Sequence, residues 1–151
     1  EIYTRKDTLS LHDALPIFAG ELGADEVIDG RAPVDAVREL TGSRGADLVL
    51  DFVGTDETHA AAAGMLARGG TSSVIGYGGT VSIPSVALVA NEQAVVGNLV
   101  GTWVDLWELL QLHAAGRIVL KTEVHRLDDV NDVLAKLREG EVTGRAVLVP
   151  G

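Results

Sequence analysis

The chain has 151 residues, 22 acidic against 12 basic side chains for a formal net charge of −10, 46% apolar residues and no cysteine. That length is about one soluble domain's worth of chain, and an acidic balance with scattered Lys and Arg argues against nucleic acid or an anionic membrane as partner. Without cysteine there is no disulfide framework, thiolate zinc site or cysteine nucleophile, which suits a reducing, cytoplasmic compartment, and no apolar stretch approaches the roughly 20 residues that span a bilayer.

Residues Glu1 to Ile17 (EIYTRKDTLSLHDALPI) carry neither a helical nor a strand period and join abruptly to a Gly/Ala-rich sequence. They lack the basic segment and apolar core of a signal peptide. Read back into codons, Asp7 to Ile17 resembles a translated short-read sequencing adapter, and Glu1 to Thr4 resembles its upstream part. A non-native arm over 1–17 is therefore expected, with an ordinary flexible N-terminal arm as the alternative, and His12 and Asp13 receive no role.

From Phe18 onward strands and helices alternate. Glu26-Val27-Ile28 predicts a short strand, and Pro33 to Leu40 a helix with Val34, Val37 and Leu40 on one face and Gly42 as its stop. Asp47 to Val53 is a nearly continuous apolar run, as for a strand covered on both faces. A helix over Glu57 to Ala67 is expected to end at Gly69-Gly70, followed by a strand over Thr71 to Ile75 and a turn at Gly76 to Gly79. The segment Thr80 to Val96 is too apolar for a solvated loop, yet Pro84 argues against a central strand, which leaves an edge strand or a covered surface segment. A strand over Val95 to Val100, a helix over Val104 to Ala115, a strand near Val119 to Val124, a helix over Asp128 to Arg138 with Val130, Val133, Leu134 and Leu137 on one face, and a strand over Ala146 to Val149 complete the series. Such alternation implies an α/β fold with a mainly parallel, doubly wound sheet.

Parallel sheets of this kind bind ligands at the carboxyl ends of their strands. Three turns there stand out: Asp51-Phe52-Val53-Gly54, Ile75-Gly76-Tyr77-Gly78-Gly79 and Asn98-Leu99-Val100-Gly101. Glycine at such a point admits a flat ligand against main-chain atoms; equally, it serves the turn alone while Asp51 or Thr55 caps the following helix. No G-x-G-x-x-G or G-x-x-x-x-G-K-[ST] provides a phosphate cradle, and no G-x-S-x-G suggests a hydrolase. His59, His113 and His125 are scattered, with no H-E-x-x-H and no carboxylates at ligand spacing. Asp128-Asp129 reads as a helix N-cap pair, and Trp103 and Trp107 as packing anchors. The residues give no catalytic group and no metal ligand.

Several pieces keep a joint spacing: Glu21-Leu22-Gly23-Ala24-Asp25-Glu26-Val27-Ile28-Asp29, Gly45-Ala46-Asp47-x-Val49-x-Asp51-x-Val53-Gly54, Gly69-Gly70, Val74-Ile75-Gly76, Asp105-Leu106 and Gly144-Arg145-Ala146-Val147-Leu148-Val149-Pro150. Together they resemble the C-terminal, cofactor-binding part of the medium-chain dehydrogenase/reductases, in particular the zinc-containing NAD(P)-dependent alcohol dehydrogenases. The resemblance covers Ala19 to Gly151 and implies an incomplete Rossmann-like sheet, truncated at its N-terminal side, that enters after the phosphate-binding turn and omits the zinc ligands and proton relay.

By the same resemblance, 18–122 forms a partial dinucleotide-binding domain and 123–151 a segment returning to the catalytic domain. It implies NAD or NADP as cofactor, with Val53 and Gly54 near the adenosine side, Ile75, Gly76 and Tyr77 beside the nicotinamide, Asn98, Leu99 and Val100 opposite it, and Arg145 on cofactor phosphate. It further implies hydride transfer to or from a small alcohol or carbonyl substrate, zinc in the parent enzyme but not on these residues, and a homodimer or homotetramer joined through Thr80 to Val96. The fragment itself is expected to be inactive. Two alternatives stand: a zinc-free quinone or enoyl reductase of the same superfamily, and a non-catalytic nucleotide-binding or oligomerisation module.

Overall fold

The computed structural model describes residues 19–20, 23–28, 32–142 and 144–151; the arm expected over 1–17 lies outside them. The chain divides into two compact units, one ending at Val100 and the other running from Gly101 to Gly151.

In the first unit Pro33, with its fixed φ and missing N–H, opens helix α1 (Pro33–Leu40). Val37 on this helix is wholly buried and Val34 packs beside it, while Leu40 is half exposed, so the apolar face is narrower than its sequence period suggests. Strand β1 (Ala46–Asp51), helix α2 (Asp56–Met65), strand β2 (Leu66–Val74), helix α3 (Ser85–Asn91) and strand β3 (Ala94–Gly97) follow. The strands lie in the order β1-β2-β3, and both pairings are parallel. Val37, Ala46, Val49, Ala62, Met65 and Leu66 form one core between α1, α2 and the sheet. Burying side chains the size of Met65 and Leu66 stabilises the fold by roughly 1.5–3 kcal/mol each.

Three expectations are corrected here. Glu26-Val27-Ile28 is not a strand: it has no ladder partner among the described residues, and Ile28 reaches the core from a loop. Helix α2 stops at Met65 and β2 begins at once, so Gly69-Gly70 lies inside the strand rather than ending the helix. The register shifts between Ala46 and Leu48 at that point, and a side chain on Gly70 would stand 2.8 Å from the Ala46 carbonyl oxygen. Thr80 to Val96 is an edge strand only at its end, where Ala94 to Val96 enter β3 beside β2, and it is covered only in part, with Ile83 and Leu88 half-buried. It carries α3, capped by Pro84, with Val86 and Val89 exposed, and then enters β3.

The second unit contains helix α4 (Trp103–Ala114), strand β4 (Thr122–Arg126), a 3-10 turn (Leu127–Asp129), helix α5 (Val130–Arg138) and strand β5 (Arg145–Val149). β4 and β5 pair in parallel, from Thr122 opposite Arg145 to Arg126 opposite Val149. Thr102 caps α4 by a reciprocal box with Asp105. Asp129 precedes α5 without a side-chain cap, and Asp128 instead accepts a hydrogen bond from Arg126 at 2.9 Å, so the expected N-cap pair is not formed. Val133 is the buried apolar residue of α5, with Leu134 and Leu137 exposed. Trp103 and Trp107 are exposed rather than packed. Among the described residues no helix is long and apolar enough to cross a membrane.

Candidate functional site

Because β1, β2 and β3 are parallel and in register, Asp51 stands opposite Val74 and Val74 opposite Gly97. The three glycine-bearing turns therefore leave the sheet side by side at its carboxyl edge, where an open α/β sheet offers a ligand-binding crevice. Asn98 is tied to that edge by its N–H to the Val74 carbonyl (2.9 Å) and by its side-chain amide, which donates to Ser73 Oγ (2.5 Å).

The first two turns are nested. An added Cβ at Gly54 would collide with the Gly76 carbonyl and the Tyr77 nitrogen, and one at Gly76 would collide with the main chain of Phe52 and Val53. Gly54 also has φ +76°, a region that disfavours side chains. The Gly79 N–H donates to the Gly54 carbonyl at 2.7 Å. Turn conformation and backbone approach thus both demand these glycines, and the approach is of one turn to the other.

Above the nest the surface is main chain and a few large side chains. Gly54 is buried, Val53, Ile75 and Gly76 are half-buried, and Tyr77, Leu99 and Val100 stand almost wholly in solvent. Gly97 has open space beside it. Val100 holds φ +45°, a strained conformation for a β-branched residue. Arg145 belongs to the second unit, where it opens β5, is exposed, and donates its N–H to the Lys121 carbonyl at 3.0 Å.

A set of contacts the sequence did not reveal lies beneath the nest. Asp51, 3% exposed, accepts at Oδ1 from the N–H groups of Val53 (3.0 Å) and Gly54 (2.9 Å), and at Oδ2 from the Thr58 hydroxyl (2.8 Å). His59, also buried, holds Nδ1 2.9 Å from Oδ2, at ion-pair distance but outside hydrogen-bond geometry. Asp51 could be read as a capping residue from the sequence, but its contact with His59 could not, since only the turn between β1 and α2 folds these positions together.

The parallel α/β arrangement is that of the Rossmann-like dehydrogenases. Residues 17–115 match the family described as zinc-binding dehydrogenase, and the chain belongs to that family. It is 35% identical to an NAD-dependent alcohol dehydrogenase of Sulfolobus acidocaldarius, over 87% of this chain and 39% of that protein. It is 33% identical to a D-arabinose 1-dehydrogenase (NADP(+)) of Saccharolobus solfataricus, over 88% and 38% respectively. The alcohol dehydrogenase of Aeropyrum pernix superposes with a TM-score of 0.87 at 40% identity, covering 94% of this chain and 42% of the other. The chain thus spans about two-fifths of the length of these relatives.

The family's name implies zinc, but the described residues do not fit a zinc centre: the chain has no cysteine, and no three His, Asp or Glu among those residues gather where a metal ion could sit. A nicotinamide cofactor fits better. The carboxyl edge offers exposed main chain and the open side of Gly97, although no glycine-rich phosphate cradle opens a helix there.

Proposed function

We propose that these residues supply the cofactor-binding part of an NAD(P)-dependent zinc-type alcohol dehydrogenase, which moves hydride between a small alcohol and its aldehyde or ketone. The observation that carries the reading is the alignment of three glycine-bearing turns along one carboxyl edge of a parallel sheet. Bound there, the nicotinamide ring supplies the hydride chemistry. In the first unit Val53 and Gly54 take the adenosine side, Ile75, Gly76 and Tyr77 the nicotinamide, and Asn98, Leu99 and Val100 the side across from it; the second unit's Arg145 guanidinium suits a phosphate by its own chemistry. Zinc belongs to a part of such an enzyme to which these residues do not correspond, so the chain by itself neither holds stoichiometric zinc nor oxidises alcohols.

Segments 18–122 and 123–151 fall, on this reading, to the cofactor-binding fold and to the return toward the catalytic domain, in a soluble cytoplasmic enzyme. The exposed Val86 and Val89 support assembly with a second copy through Thr80 to Val96. Val86→Glu should then leave a monomer on sizing with light scattering, and an unchanged oligomer would put the contact elsewhere.

Calorimetric titration with NADH and with NADPH tests the main reading. Weak binding, with Kd about 1 mM for want of a phosphate cradle, is expected together with no alcohol oxidation. Micromolar affinity without oxidation would favour a non-catalytic nucleotide-binding module instead, and no binding of either nucleotide would remove the proposal.

A further inference from the structure

We infer that Asp51 is a positioning residue that couples the two nested turns, so that the shape of the edge is set from beneath by a group that touches no ligand; the inference rests on the reading that this edge takes NAD(P). A carboxylate buried this deeply costs free energy unless hydrogen bonds compensate it. Here the donors are the N–H groups of Val53 and Gly54 and the Thr58 hydroxyl, with His59 Nδ1 facing the same oxygen as Thr58. The main-chain carbonyl of Asp51 meanwhile accepts from the N–H groups of Ile75 (2.8 Å) and Gly76 (2.9 Å). One residue therefore holds the first turn by its side chain and the second by its backbone.

The nest makes this double grip consequential. Gly54 and Gly76 meet backbone to backbone with no room for a methyl group, so a shift of residues 52–54 cannot be absorbed by side chains and must move residues 75–77. Thr58 ties the same carboxylate to the first turns of α2, where the Thr55 hydroxyl accepts from the Thr58 N–H and the Thr58 hydroxyl accepts from the Thr55 N–H. Position along the edge is thus fixed relative to both the sheet and the helix. A mere helix cap would need neither the burial of Asp51 nor the bonds from Ile75 and Gly76.

Asp51→Asn tests this, because it keeps the shape while replacing one acceptor oxygen by an N–H₂ donor. Amide hydrogen exchange should quicken roughly tenfold at Ile75 and Gly76 as well as at Val53 and Gly54, while Val49 in mid-strand stays protected. The NADH titration midpoint should rise by about five- to tenfold. If Asp51→Asn does not fold, Thr58→Val should give the same pattern at about threefold. Faster exchange confined to Val53 and Gly54, or an unchanged NADH midpoint in a variant whose exchange has changed, would overturn the inference. If the unaltered chain takes up neither NADH nor NADPH while exchange at Ile75 and Gly76 responds as described, the coupling stands and the cofactor reading fails.

Discussion

The two units are built from the same kinds of element but hold together differently. The unit ending at Val100 closes two helices over a three-stranded sheet and buries Val37, Val49, Met65 and Leu66. The unit beginning at Gly101 has a two-stranded sheet and, among its described residues, Val133 alone as a buried apolar side chain. Its helix α4 leaves Trp103, Leu106, Trp107, Leu109 and Leu110 exposed. A two-stranded sheet is marginal by itself, and apolar side chains left in water contribute nothing to burial. The difference teaches that apolar composition alone does not make a core: layers on the sheet do, and the candidate site rests on the layered unit.

The sharpest way to break this comparison is at the nest. Gly76→Ala places a methyl group inside the main chain of Phe52 and Val53, so a loss of about 4 kcal/mol or more is expected in urea unfolding. A loss under about 1 kcal/mol would mean that the two turns are not rigidly seated.

Next in size is a matched pair of truncations. Met65→Ala empties a fully buried position and should cost about 2–5 kcal/mol. Leu110→Ala, on the exposed surface of α4, should stay within about 0.5 kcal/mol. Equal losses would show that α4 is covered in solution and would undo the contrast.

Smaller still, Thr102→Ala removes the hydroxyl that accepts from the Asp105 N–H at 3.3 Å and should cost about 1 kcal/mol of helix stability. The loss should appear in the carbon shifts of α4 and leave the first unit unchanged.

The gentlest probe is pH. The Thr102 N–H, and after it the Thr102 hydroxyl, holds the Asp105 carboxyl below its ordinary range. A depressed folded-state pKa means that the stabilisation is fully present above the unfolded value, about 3.9, and is lost as pH falls through the folded one. Fraying of α4 should therefore begin below about pH 4, and Asp105→Asn should flatten that profile.

Much of the architecture was legible in the residues because alternating strand and helix periods do not depend on distant partners. Helix α1, strand β1, helix α4 and strand β5 fall within a residue or two of their expected bounds. The failures share one cause, since each depended on what the segment meets. Val27 has strand character but no ladder to join among the described residues. Gly69-Gly70 resembles a helix stop, yet Gly70 is required by the Ala46 carbonyl across the sheet. Thr80 to Val96 reads as an edge strand or a covered surface segment, but Ser85 to Asn91 within it winds into α3. At the candidate site the glycines were visible, whereas their packing on each other was not, and neither was the pairing of Asp51 with His59 eight residues away.

The central claim, that the nested turns at the carboxyl edge receive the dinucleotide, is tested most directly by following backbone amide shifts as NADH is added. Saturable shifts concentrated at Gly54, Gly76, Tyr77 and Asn98, with Val49 and the residues of α1 unmoved, are the predicted result. Shifts centred away from that edge, or none up to about 10 mM, would contradict it.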